Sequence, residues 1–455
     1  MSFLTIVIVV AVLAAFLLGF RLMSITGLPI RSPEPPAPKT TPACALPSVS
    51  IPRQQGTLNL TGISGGTYHA DEIVVTGVNS LTSDLVLLAK DRLVVSGSLS
   101  RGIAGFGPAG HSVAITLACS EGPVEIQAGA KVGGGTRAAE ASTVAGAPIV
   151  MAHAGWNGGS LLIIGVSVTI EGNVAGHDAG PGGGALSGPG RIRGGPPAGS
   201  SVAIGGCSGY GGDVVICATE LISVGAAAEI RGGTAARGGW AEAQGNHEGD
   251  VYARGGDGSR GGDITFNGHG GTCQVTIAGN VIAAWGPQTP VGLRKDGAQA
   301  IARRDPNAPP PARNGGTALA VAGDGSPGAV VTFVDCKVNN TGTIRSGDGG
   351  SGGDGEARGG NSPGARWPGG EATARGGNGG APGAQPQFDD WNDQPQTGTL
   401  GLAGSGGEAT AIGGSAGVAG LDAASTATGG SNGDGQAATP GRGLPGIPAH
   451  SPGVP

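Results

Sequence analysis

Apolar positions in the middle of this chain alternate in short runs, and the runs recur. Six stretches can be laid over one another. They are DLVLLAKDRLVVSGSLSRG from Asp84, SVAITLACSEGPVEIQAGAKVGGG from Ser112, SLLIIGVSVTIEGNVAGHDAG from Ser160, DVVICATELISVGAAAEIRGG from Asp213, DITFNGHGGTCQVTIAGNVIAAWG from Asp263 and AVVTFVDCKVNNTGTIRSGDGG from Ala329. Each opens on an alternating apolar run (Leu85 and Leu87, Val214 and Ile216, Ile264 and Phe266). A second run follows (Leu93 and Val95, Val124 and Ile126, Val275 and Ile277), and a third comes after a glycine (Val174, Ile230, Val281, Ile344). Alternation of period two is the mark of strands with one buried face. Three brief strands per unit, with turn residues between them and a unit of roughly 20 to 25 residues, predict the coils of a parallel β-helix. The expected fold class is therefore all-β, a parallel β-helix of six full coils, right-handed by the default of parallel crossovers. Residues 56 to 83 hold two alternations without the full unit and predict a cap.

The units start 28, 48, 53, 50 and 66 residues apart while hardly changing their own length. The extra residues all fall between the third run of one unit and the first of the next. One recurring insertion point means one face, so the glycine-rich insertions are expected to stack on one flank. Their wording is shared: TAARGGWAEAQGN, VYARGGDGSRGG and TALAVAGDGSPG, and after residue 345 GEARGGNSPG, GGEATARGGNGGAPG and GGEATAIGGSAGVAG. The last quarter of the chain thus reads as inserted material without the repeats beneath it. Glycine-rich chain of this kind either packs as extended left-handed strands, in the way collagen uses glycine, or stays as coil. The insertions are expected to be ordered.

Composition adjusts this picture. The chain has 96 Gly and 32 Pro in 455 residues, 13% charged and 3% aromatic residues, and a formal net charge of −6. There is no basic stripe to neutralise phosphates, which excludes nucleic acid as a partner. Apolar content is mostly Ala, Val, Ile and Leu, suited to a thin core of stacked rows. Phe3 to Phe20 is an uncharged apolar run of 18 residues, read as an N-terminal transmembrane helix that serves as anchor or signal segment. The organisation expected is 1–23 membrane anchor, 24–55 proline-rich spacer, 56–345 repeats with insertions, and 346–455 glycine-rich tail. Arg21 directly after the apolar run opposes export under the positive-inside rule. Low charge and six cysteines favour it, so the expected location is the cell surface or extracellular space.

Candidate chemistry is sparse. Asp213 and Asp263 hold the same slot in consecutive units, about 5 Å apart if the coils stack. They could form a cation site or carboxylate pair, or bond to nearby backbone as Ser112 and Ser160 would in that slot. Cys273 and Cys336 precede the same strand in adjacent units and could bridge; Cys207 and Cys217 are close enough in sequence to form a second pair. Cys44 and Cys119 have no evident mates. The clusters GGDGSRGGD and SGDGGSGGDGE share Gly and Asp with calcium-binding nonapeptides but lack the aliphatic residue and tandem spacing, and read as solvated turns. No cofactor is expected, calcium being the one alternative. Trp156, Trp240, Trp285, Trp367 and Trp391 lie in or beside the glycine-rich segments and could stack on sugar rings, join subunits or cover glycine backbone. No HExxH is present, and no nucleophile elbow or phosphate-cradling loop stands in a strand-to-helix context.

The unit, seen best in GGDVVICATELISVGAAAEIRGGTAARGG from Gly211, resembles the glycine-rich coils of exported bacterial β-solenoids, the filamentous-haemagglutinin-like adhesins and autotransporter passengers. The resemblance spans residues 56 to 345 and lies in rhythm. It implies a surface or extracellular scaffold and carries over no catalytic residue. The expected function is a non-enzymatic structural protein, an adhesin or fibre subunit, self-associating through solenoid ends and tail, with surface glycans as further partners. The alternatives are a polysaccharide lyase or hydrolase, which needs clustered carboxylates on one strand row, and a glycan-binding module.

Overall fold

The computed structural model describes residues 44–101, 113–135, 144–145, 149–188, 201–245, 250–268, 273–284, 300–304, 316–359, 370–386, 398–399, 402–403, 405, 408–412, 424–429, 431 and 442–444. Among them are 31 strands and no helix, and the named strands pair in parallel within four sheets. The apolar run Phe3 to Phe20 lies outside the described residues. Among those described, no helix is long and apolar enough to cross a membrane.

Each of the six repeats adds its first and second runs to one sheet of 11 strands, after Gln54–Leu60 and Gly66–Val75. Register is carried through the whole set. Leu85, Ile115, Leu161, Val214, Ile264 and Val331 stand in one column. Leu93, Val124, Val168, Ile222, Val275 and Val338 form a second. The third runs build a separate seven-stranded sheet, with Leu99, Val132, Val174, Ile230, Val281 and Ile344 in line. All three columns are buried in one continuous core. Each such side chain contributes roughly 1.5–3 kcal/mol of burial. The three runs occupy two sheets: the first two share one strand in Leu85–Val95, Leu161–Ile170 and Val214–Val224, and are separate strands of the same sheet in the other three repeats. In Leu161–Ile170 the chain passes from one run to the next through a register shift between Gly165 and Ser167.

The insertions leave and re-enter this base through segments with a period of three. Between 205 and 212, the N–H groups of Gly205, Ser208 and Gly211 donate to the carbonyls of Arg254, Asp257 and Arg260 in the following insertion. Those of Gly206, Gly209 and Gly212 donate to Gly183, Gly180 and His177, which run the opposite way. The same alternation recurs later, with Gly347, Gly350 and Gly353 donating to Ala329, Ser326 and Gly323. Three residues per turn without internal hydrogen bonds is the period of polyproline II. Each helix has neighbours in two directions, and glycine fills most slots that face them. A Cβ on Gly206 would overlap the carbonyl oxygen of His153, and one on Gly182 the carbonyl oxygen of Gly206.

Beyond these segments the insertions form two further sheets. One has seven strands, among them Ala185–Ser187, Ala241–Gly245, Gly355–Arg358 and Ala409–Ile412; the other has six, among them Ser201–Ile204, Val251–Arg254, Ala318–Val321 and Ala372–Arg375. Alanine dominates the core between them, with Ala185, Ala203, Ala241, Ala253, Ala320 and Ala374 buried. The base sheets end at Cys336–Asn340 and Thr343–Arg345, whereas the two outer sheets run on through Ser425–Thr428 and Arg442–Leu444. Tail residues therefore extend the inserted layers, and Thr399 forms a parallel bridge to Arg345.

Candidate functional site

The outward face of the large base sheet is apolar over only part of its length. Leu88, Ala118, Leu162, Ile164, Val215 and Cys217 are buried there as a cluster, on the side opposite the main core, and Cys44 and Val49 pack on top of them. In the next two repeats the matching positions are Thr265 and Asn267, then Thr332 and Val334. The segment from Cys44 to Arg53 is therefore a strap seated on the apolar part of this face. Cys44 is disulfide-bonded to Cys217 across 173 residues of sequence. Nδ1 of His69 lies 3.1 Å from the carbonyl oxygen of Ile51, and Arg53 is ion-paired with Asp71 at 2.9 Å. The expected Cys207–Cys217 pairing is corrected by this bond. Cys217 points outward from Val214–Val224, while Cys207 is buried as a thiol within the glycine-rich segment 205–212. The missed signal lies in the runs LVLL, LLII and VVIC, apolar at every position, where ITFN and VTFV alternate. Unbroken apolar runs mean strands covered on both faces.

Cys273 and Cys336 are direct cross-strand partners in the last two repeats, both buried and both thiols. The hydrogen bond to the Cys336 sulfur holds the Cys273 thiol below the ordinary thiol range. Cys119 is a buried thiol as well, and burial pushes it up.

Asp213 and Asp263, read as a cation site, a carboxylate pair or acceptors for nearby backbone, take the last of these roles and are links in a ladder. Oδ1 of Asp213 accepts the backbone N–H of Asp263 at 2.9 Å, and Oδ1 of Asp263 accepts that of Val330 at 2.8 Å while pairing with Arg260. A second ladder runs through the inserted layer: Asp257 accepts from Asp324 at 3.0 Å, Asp324 from Asn378 at 2.7 Å, and Asn378 from Ser431 at 3.0 Å. These N–H groups occupy the third slot of the three-residue turns, where the other two slots bond to backbone neighbours in most turns and Ser259 donates to Oγ of Ser208 instead. Pro181 and Pro327, which have no N–H, stand in that same slot. Each ladder residue thus satisfies an otherwise unmet donor of the next layer. Burial pushes the carboxyls of Asp263 and Asp324 up, against the backbone donors that lower them. The cluster GGDGSRGGD, expected as a solvated turn, is Gly-Gly-X packing whose X positions carry Asp257, Arg260 and Asp263. No group of three His, Cys, Asp or Glu side chains with metal-binding geometry occurs among the described residues.

Trp156 and Trp240 are half-buried in the inserted layer, and a Cβ on Gly184 would strike the Trp240 indole. Trp240 therefore lies against glycine backbone. Trp285, Trp367 and Trp391 lie outside the described residues. No family model, no curated protein and no solved structure matches this chain.

Proposed function

We propose that this chain is an exported, membrane-tethered, non-enzymatic surface scaffold whose body is a parallel β-helix carrying a flank of polyproline II segments and outer sheets. The observation that carries the reading is the Cys44–Cys217 bond, which ties the end of the proline-rich spacer to the body. Disulfides persist in oxidising compartments, which favours a body on the exported side of any anchor formed by Phe3 to Phe20. Three columns of stacked side chains, each six layers deep, and the regular insertion point support the β-helix reading.

An adhesin-like projection is favoured over a fibre subunit. Phe333 and Val338, in the last strand pair of the base, are only 1% and 5% exposed, so this end of the core is covered rather than open for a second copy. A polysaccharide enzyme would need carboxylates directed at substrate, and Asp213, Asp257, Asp263 and Asp324 are engaged as acceptors for backbone N–H groups. Electron microscopy of the protein recovered from its source, with N-terminal sequencing of the same sample, tests the proposal. Separate membrane-bound particles whose sequence begins at Met1 or Ser2 support it. Ordered filaments beginning beyond residue 23 replace it with the fibre reading.

A further inference from the structure

The last two repeats of the base are joined by matched pairs of inward side chains. Ile264 faces Val331, Phe266 faces Phe333, Cys273 faces Cys336 and Val275 faces Val338. Parallel register places Cys273 and Cys336 one inter-strand spacing apart, about 4.8 Å between backbones, within the span a disulfide bridges without backbone movement. Both side chains point into the same core. Cys336 belongs to Cys336–Asn340, which among the described residues pairs with Cys273–Ile277 alone. Among the described residues nothing else repeats this arrangement: Cys119 and Cys207 lie in different layers, and Cys44 and Cys217 are already joined.

We infer that Cys273 and Cys336 are an oxidation site, a second disulfide that closes the C-terminal end of the base as the Cys44–Cys217 bond closes the strap. The reaction is thiol–disulfide exchange with a disulfide oxidant, a small-molecule disulfide or an oxidised dithiol protein. The thiolate of one cysteine attacks the oxidant, a mixed disulfide forms and one oxidant thiol leaves. The second thiolate then attacks the protein sulfur of that mixed disulfide, and the second oxidant thiol leaves. Two protein thiol protons are lost, and the oxidant is reduced by two electrons. Because Cys336 sits on the last strand, fraying of that strand gives the oxidant access that the interior repeats deny. The inference rests on the exported reading only for the natural supply of oxidant; the geometry stands apart from it.

The test uses the full chain in detergent, reduced, then re-oxidised with glutathione disulfide, alkylated after unfolding and mapped by mass spectrometry. The expected result is a linked peptide joining Cys273 to Cys336, two mass units lighter than the sum of its reduced parts, with Cys119 and Cys207 alkylated. In Cys336→Ser, Cys273 should be recovered either alkylated or as its glutathione mixed disulfide, and never linked to another peptide of the chain. Alkylation of both Cys273 and Cys336 in molecules that have regained the Cys44–Cys217 bond would overturn the inference. Purified chain with added oxidant decides this question whether or not the native protein proves to be exported.

Discussion

The rings of Phe266 and Phe333 stack with centroids 4.8 Å apart and planes inclined by 5°. That separation is the spacing of adjacent parallel strands, so the pair reports the register of the last two repeats directly. Replacing Phe333 by Ala leaves Phe266 facing a void next to the end of the core. The expected loss is about 3–5 kcal/mol. Denaturant titration should also show Phe333→Leu to be milder than Phe333→Ala.

The strap depends on its bond. Cys44→Ser should lower stability by about 2–5 kcal/mol and release Val49 from the outward apolar patch. Wild-type protein and Cys44→Ser should then match when both are measured in reductant, where the Cys44–Cys217 bond no longer distinguishes them. A variant as stable as the oxidised wild type would show that the strap adds nothing to the body.

Ladder carboxylates act as acceptors, and Asn378 already performs that task in the slot one layer beyond Asp324. Asp324→Asn should therefore be tolerated, while Asp324→Ala leaves the N–H of Asn378 without its side-chain acceptor and should cost about 1–3 kcal/mol. Burial raises the carboxyls of Asp263 and Asp324 above their unfolded values, so their charged forms are disfavoured in the folded chain. Stability from these groups is greatest below the unfolded value, about 4, and declines as pH rises through the folded one. Thermal melts across that window should fall with rising pH in the wild type and flatten in the Asp263→Asn, Asp324→Asn double variant.

Glycines in the insertions divide by their surroundings. Gly206→Ala and Gly182→Ala force a methyl onto carbonyl oxygens of neighbouring segments and should each cost about 1–3 kcal/mol. A Cβ on Gly188 would meet nothing within 4 Å, and Gly188→Ala should be neutral. Equal effects at all three sites would contradict close packing of this layer.

The repeat was legible because inward positions must stay apolar in every layer. Val174, Ile230, Val281 and Ile344 stand in one column, and any polar member would have been buried unpaired. The single insertion point was legible for the same reason, since it leaves the columns intact. Partners fixed by three-dimensional closure were not. Cys44 meets Cys217 because an apolar strap lies on an apolar face, and sequence proximity made Cys207 the more obvious mate. The Gly-Gly-X period was hidden by its irregular X residues, so Asp257 and Asp263 read as turn residues when they are acceptors in a packed layer. The tail offered shared wording with the insertions, and its strands Gly355–Arg358 and Ala372–Arg375 join the same outer sheets.

The most direct test of the tethered-scaffold account is labelling of intact source cells with a membrane-impermeant amine reagent, followed by peptide mapping of Lys131 and Lys337, both exposed on the body. The account predicts that both lysines are modified without lysis, with Cys44 and Cys217 recovered as one linked peptide from the same digest. Modification only after lysis, with Cys44 and Cys217 recovered as separate thiols, would place the body in a reducing interior and contradict it.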